Sequence, residues 1–341
     1  MRKDTRIAFT NYCDQIARLN GVTDATAKFT AAPSVQQALE DRMQESSDFL
    51  KSINIYPVTE QEGEKIGLSM SGPIASRTNT ATTDRSPRDP VNLDNFGYRC
   101  EKTDSDTFIK YALLDAWAKF PDFQTRIRNH IVQQQGRDRM MIGFNGTSVA
   151  ATTDSVAHPL LQDVNKGWLQ KLRTERPAGV MADGPSSGTG MVKVGTAAGG
   201  DYRNLDALVY DVINELIDPW FREDTSLVAI CGRALLHDKY FPLINGADSD
   251  APVQQVARDV ILSTKRLGGL QAVAVPFFPA NSIMVTSLDN LSIYWQESAR
   301  RRQILDYPKR DRIENYESSN DAYVIEQLGK AALIENITLS W

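Results

Sequence analysis

The stretch from Asp122 to Phe144, DFQTRIRNHIVQQQGRDRMMIGF, constrains the fold most, because it is the longest uninterrupted helical reading and neither flank looks able to fold alone. Pro121 suits a first helical turn, Asp122 puts negative charge near the positive helix end, and Phe123, Ile127 and Ile131 recur at spacing four as one apolar stripe. The stripe resumes at Met141 and Phe144. Asn145 and Gly146 tolerate a left-handed backbone, so a helix of about six turns should end there, with Gly136 its one weak position. Arg126, Arg128, Arg137 and Arg139 invite a nucleic-acid reading. The aromatic interleaving of base-stacking modules is missing, however, and a solvated or subunit-facing side paired with acidic neighbours accounts better for them.

What surrounds this helix must supply a core. A chain of 341 residues, 41% of them hydrophobic, can bury one, and its length suggests about two domains. The net charge of −5 argues against a protein whose main task is gripping a phosphate backbone. Cys13, Cys100 and Cys231 are scattered and form no CxxC, so neither a disulfide framework nor a zinc site is expected, in keeping with a reducing compartment. No apolar run approaches the roughly 20 residues of a bilayer span, and the N-terminus lacks the apolar core of a secretory signal. A soluble protein made inside a cell is the expectation.

Residues Met1 to Gly21 read as an amphipathic helix with Phe9, Tyr12, Ile16 and Leu19 on one face, and no local partner for that face is evident. The run VTDATAKFTAAPS, ending just past Pro33, has the composition of an exposed linker open to a protease. The first part is therefore expected to be a separate assembly element; a short helix docked on the body is the alternative. From Val35 to Leu50 the chain is helical in composition, and INIYPV from Ile53 switches to strand residues. Between Thr59 and Arg99, KIGLSM and PIASRT are short strand candidates in a polar segment that reads as a two-stranded loop lying on a partner.

LLQDVNKGWLQKLRTE reads as a second helical block, with Leu161, Val164, Trp168 and Leu172 at helical spacing. Ala178 to Gly200 reads as a mobile Gly/Ser-rich surface loop, followed by a helix from Leu205 to Ile217 with Asp201 and Asn204 as candidate caps. SLVAICG from Ser226 reads as a buried central strand leading into helix RALLHDKYF, then strands AVAVPFF and SIMVTS, and finally alternating strands to the end. This describes an α+β domain around a central sheet. The triplet Arg300, Arg301 and Arg302 reads as a solvated strand end or subunit contact.

Catalytic patterns are poor. Gly184 to Gly188 formally match G-x-S-x-G, but that motif needs a buried strand before it and a helix after it, and here it sits in a glycine-rich run. His130, His158 and His237 have no paired ligand spacing, and no phosphate-binding loop or dinucleotide fingerprint is present.

The residues themselves resemble the major capsid proteins of P2-like tailed phages. The resemblance rests on MQESSDFL at Met43, INIYPV at Ile53, GEKIG at Gly63, DFQTRIRN at Asp122 and GFNGT at Gly143. It continues with LQDVNKGWLQK at Leu161, GGDYRNLDALV at Gly199, KYFPLIN at Lys239, LDNLSIY at Leu288 and ENYES at Glu314, and so covers nearly the whole chain.

This resemblance implies an α+β fold of the Hong Kong 97 type, with no cofactor and no catalysis. Its parts would be an assembly segment at 1–30, an N-terminal arm at 31–52 and an extended loop at 53–100. A peripheral domain would follow at 101–200 with a spine helix at 122–144, then an axial domain at 201–286 and return strands shared by both at 287–341. It also implies hexameric and pentameric capsomers of an icosahedral shell, a scaffolding protein and protease, a portal protein and packaged double-stranded DNA held by non-specific proximity. No membrane would be involved, and the place would be the virion, assembled in the host cytoplasm. Proteolytic processing is expected within Ala25, Thr26, Ala27, Lys28, Phe29, Thr30, Ala31 and Ala32, and Arg77, Arg85 and Arg88 are the expected intersubunit anchors of the loop. The alternatives are a cellular enzyme with an unrecognised active site and a non-viral shell protein.

Overall fold

The computed structural model describes residues 1–65, 69–70, 75–85, 91–92, 96–117, 123–185, 188–195, 200–237, 239 and 265–340. They divide into two units, the first made of Met1–Gly63, Tyr98–Gly167 and Ser292–Tyr323, the second of Glu64–Gly97, Trp168–Leu291 and Val324–Trp341.

In the first unit, helix α1 spans Lys3–Asn20 and stops where Gly21 takes a left-handed backbone (φ 65°). Helix α2 spans Pro33–Glu45 with Pro33 in its first turn, followed by the short α3 at Asp48–Ser52. Helix α4 spans Tyr111–Trp117, and the long helix α5 spans Phe123–Asn145, as its sequence predicts except for Asp122, which lies outside the described residues. A seven-stranded sheet follows the path Phe29–Thr30, Arg301–Tyr307, Arg312–Ile325, Leu291–Gln296, Asn54–Val58, with Glu101–Asp104 and Thr107–Lys110 also paired to Arg312–Ile325. Pro57, which has no N–H to give, sits in the edge strand.

The face that α5 buries coincides only in part with the predicted apolar stripe: Phe144 is buried, and the side chains of Phe123 and Ile127 lie outside those described. Ile131 and Met141 are only half-buried, while Val132, Gln135, Gly136, Arg139 and Met140 are buried. Gly136 is no weak point here. It is where α2 crosses, and a Cβ at this position would collide with Ser46 Oγ and press on Leu50. The second helical block also shortens. Helix α6 covers only Trp168–Glu175, because Leu161 adopts a left-handed backbone (φ 57°) and Gly167 lies against the carbonyls of Ile142 and Gly143 at the end of α5.

The second unit holds a six-stranded mixed sheet in the order Arg266–Leu267, Leu270–Ala274, Val228–Cys231, Ile283–Thr286, Ala332–Ile334, Val180–Met181. The predicted central strand is in place, antiparallel to Ile283–Thr286 and parallel to Leu270–Ala274. Helix α7, Leu205–Glu215, is capped by Asn204, whose Oδ1 accepts the Ala207 N–H at 2.8 Å. It closes an apolar core with Leu208, Val209 and Val212. The segment expected to be a mobile loop is partly in this core. Val192–Gly195 pairs in parallel with Ile337–Ser340, and Val192 and Val194 are completely buried, which the Gly/Ser composition around them conceals.

Candidate functional site

The chemistry of the described residues is that of contacts. No group of three or more His, Cys, Asp or Glu side chains among them could hold a metal ion. The thiols are weak nucleophiles, since burial pushes Cys100 and Cys231 up to about 12 and Cys13 to about 11. Ser186 and Ser187 of the G-x-S-x-G match lie outside the described residues.

The N-terminal segment corrects two expectations. Helix α1 does have a partner: Ile16 and Ala17 join Ala25, Phe29, Leu114, Ile304 and Ile313 in one apolar cluster, with Phe9 and Tyr12 packed against it. The run after it is not an open linker. Ala25, Phe29 and Ala31 are buried, Ala32 is half-buried, and only Thr26, Ala27, Lys28 and Thr30 are exposed. Phe29 and Thr30 pair with Arg302 and Arg301, and the Ile304 N–H donates to the Ala25 carbonyl at 3.1 Å. A strand pairing and a buried phenylalanine thus hold the segment that composition alone describes as loose.

Of the three loop arginines, Arg77 and Arg85 are exposed, with no ion-pair partner among the described residues, and Arg88 lies outside them. Of PIASRT, Ala75–Thr78 form no strand and Pro73 and Ile74 lie outside the described residues; Ser69 and Met70 of KIGLSM pair with Asn92 and Val91. The loop's lysine is occupied. Lys65 Nζ lies 3.5 Å from Glu175 Oε2, both side chains nearly buried, and Lys171 reaches the same carboxylate at 3.0 Å.

Sequence reasoning missed a buried charge cluster in the first unit. Arg139 of α5 forms a fork with Asp321 (Nη2 to Oδ1 3.0 Å, Nε to Oδ2 3.2 Å) and donates to both oxygens of Glu40 on α2. Arg300 donates to Glu40 Oε1 at 2.7 Å, to Glu317 Oε1 at 2.6 and 2.8 Å, and to Gln135 at 3.3 Å. The expected solvated Arg300 is therefore 5% exposed; of the triplet, Arg301 alone is exposed.

Two guanidiniums meet three carboxylates, so the cluster carries one excess negative charge. Burial pushes the Glu317 carboxyl up, but Arg300 and then Arg302 outweigh it and hold it below the usual range. For Asp321 burial wins, opposed by Arg139 and reinforced by Glu40, and its carboxyl titrates above the usual range. The signal in the sequence was faint: Glu40 shares the inner face of α2 with Gln36 and Met43, and Arg139 shares that of α5 with Gln135 and Val132. A charge at a core-facing helical position asks for a partner, and these partners are far off in the chain.

The chain as a whole is similar to known proteins. The sequence model of the phage major capsid protein, P2 family, matches residues 8–337. The capsid protein of Escherichia phage P2 is 49% identical over 99% of this chain and 95% of its own length. The major capsid protein of Serratia phage KSP20 is 40% identical over 100% of this chain and 98% of its own. Among solved structures, a chain of the satellite phage P4 procapsid, a particle including its size-determination protein, superposes with a TM-score of 0.83 at 47% identity, covering 100% of this chain and 99% of that one. With a full-length family match and two relatives well above 30% identity, the chain belongs to the P2 family of phage major capsid proteins, a structural family and not an enzyme family.

Proposed function

We propose that this capsid protein self-assembles, as hexameric and pentameric capsomers, into an icosahedral shell of the Hong Kong 97 type that encloses double-stranded DNA. Assembly takes place in the host cytoplasm with a scaffolding protein and protease, around a portal protein. In this reading 31–52 is the arm, 53–100 the extended loop, and α5 the spine helix of the peripheral domain, with 201–286 forming most of the axial domain. The observation that carries the reading is the end-to-end likeness to a procapsid chain. Electron microscopy of the overproduced protein, with and without its scaffold, tests it. Closed shells or ring-shaped capsomers are the expected result, and a monodisperse small oligomer would end the proposal.

The processing step belongs to the same proposal. Five cations (Arg2, Lys3, Arg6, Arg18, Lys28) against three carboxylates (Asp4, Asp14, Asp24) give residues 1–30 a charge of +2, leaving −7 for the rest of a chain of −5. Cutting within 25–32 would make the shell more acidic. Because Ala25 and Phe29 are buried around the exposed Thr26–Lys28 stretch, a protease must wait for this edge to open, and its rate should follow the opening equilibrium. Phe29→Ala is expected to speed cleavage by the maturation protease. N-terminal sequencing of mature particles that returned intact Met1 would remove the step altogether. With Lys65 held by Glu175, covalent cross-linking through the loop is not expected, and denaturing electrophoresis of mature particles should show one monomer band.

A further inference from the structure

We infer that the recess between α1, α2 and the start of α5 is a binding site for a phosphate group. Arg42 of α2, Arg128 of α5 and Arg302 of strand Arg301–Tyr307 line one cavity of about 410 Å³, and among the described residues of its lining there is no Asp or Glu. Arg128 Nε is buried without an acceptor, a state that a folded protein avoids unless something else occupies the place. Arg42 makes no hydrogen bond or ion pair among the described residues. Arg302 spends Nε on Asn315 Oδ1 at 2.9 Å and Nη2 on Tyr12 Oη at 3.2 Å, both neutral. Glu317, its neighbour across the strands, gives its carboxylate to Arg300.

The contrast with Arg139 and Arg300 makes the point. Those two arginines are buried with carboxylates bonded to them, whereas Arg42 and Arg128 have none among the described residues and Arg302 feels Glu317 only at a distance, so the repulsion among the three is relieved by an anion. Three positive charges exceed what one carboxylate neutralises. A phosphate group offers more charge and more acceptor oxygens, and the Tyr12 and Thr125 hydroxyls and the Gln15 amide line the same recess as further donors. The phosphate can come from free phosphate or from the backbone of a nucleic acid.

The full-length protein is titrated with sodium phosphate against sodium chloride at equal ionic strength, following Tm, and with short labelled duplex DNA, following anisotropy. A saturable rise of about 2 °C or more in phosphate, lost in Arg128→Gln and reduced in Arg42→Gln, supports the site. Duplex binding that Arg128→Gln weakens by about tenfold and that phosphate competes away assigns the source to nucleic acid. A Tm rise without such duplex binding assigns it to free phosphate. Arg42 is exposed on its helix, so Arg42→Gln decides the question should Arg128→Gln not fold.

The inference is overturned if phosphate does no more than chloride and duplex does not bind, if both variants respond like the parent, or if a glutamate-rich peptide binds in place of phosphate. These readouts use the unassembled subunit, so their failure leaves the shell proposal standing, and failure to form shells leaves the site standing.

Discussion

In the second unit α7 sits in its core through Leu208, Val209 and Val212, all completely buried, with Val192, Ala229 and Val285 in the same cluster. In the first unit the junction of α2, α5 and the long strand Arg312–Ile325 is a cluster of two guanidiniums and three carboxylates. The difference is one of tolerance. An apolar contact can slide by a fraction of an ångström and lose little, because dispersion is non-directional. An arginine fork with two carboxylates holds only over a narrow range of distance and angle, so it fixes how α2 lies on α5 more than it adds to stability.

The comparison can be broken most directly at Arg139. Arg139→Met leaves Asp321 buried without its cation and Glu40 with Arg300 alone, and is expected to destabilise the subunit by about 3–5 kcal/mol, read from the urea midpoint. The triple change Glu40→Gln, Arg139→Met and Asp321→Asn leaves Arg300 with Glu317 as a neutral pair and should be less damaging than Arg139→Met alone. A triple variant worse than the single one would mean that the cluster stabilises outright. In the apolar core, Leu208→Ala should cost about 3 kcal/mol through lost contacts and a residual cavity, with no dependence on pH.

Acidity separates the two units more finely. The folded Glu317 carboxyl lies below its usual value of 4.5, so its contribution is present above that value and is lost as pH falls through the folded one. Asp321 has the opposite sign, since its folded carboxyl lies above the usual 3.8 and takes up a proton before the unfolded chain does. Stability measured by urea titration should therefore gain slightly as Asp321 takes its proton and then fall below about pH 4.5. In Glu317→Gln the second limb should shrink, and an unchanged acid limb would sink the assignment.

The smallest effect belongs to the loop. Arg85→Ala with Arg88→Ala should leave the subunit Tm within about 1 °C of the parent while lowering shell yield, most at high salt, where the remaining surface pairs are screened. Normal assembly, or an unfolded subunit, would contradict the proposed role.

Much of this was legible from local signals. The termination of α1 at Gly21, the extent of α5, the Asn204 cap and the buried strand at 228–231 follow from residues within one or two turns of each other. What was hidden is non-local. The partners of Arg139 lie 99 and 182 positions away, and Val192–Gly195 needs a strand that begins at Ile337. Apolar periodicity cannot announce that a helix face carrying Val132, Met140 and Phe144 also buries a paired arginine. Composition likewise missed the tether at 25–32, where Phe29 and Thr30 pair with strand Arg301–Tyr307 while Thr26, Ala27, Lys28 and Thr30 stay exposed.

The chain passes between its two units five times, at residues 63, 97, 167, 291 and 323. That interleaving sets a clock for synthesis. The first unit lacks its central strands until residue 325 has emerged, and the second lacks Ala332–Ile334 and Ile337–Ser340 until nearly the last. At about 5–20 residues per second, the N-terminal helix waits on the order of tens of seconds on the ribosome before the strands it covers exist. Neither unit can finish early and begin pairing with other copies, so subunits enter the pool whole or not at all.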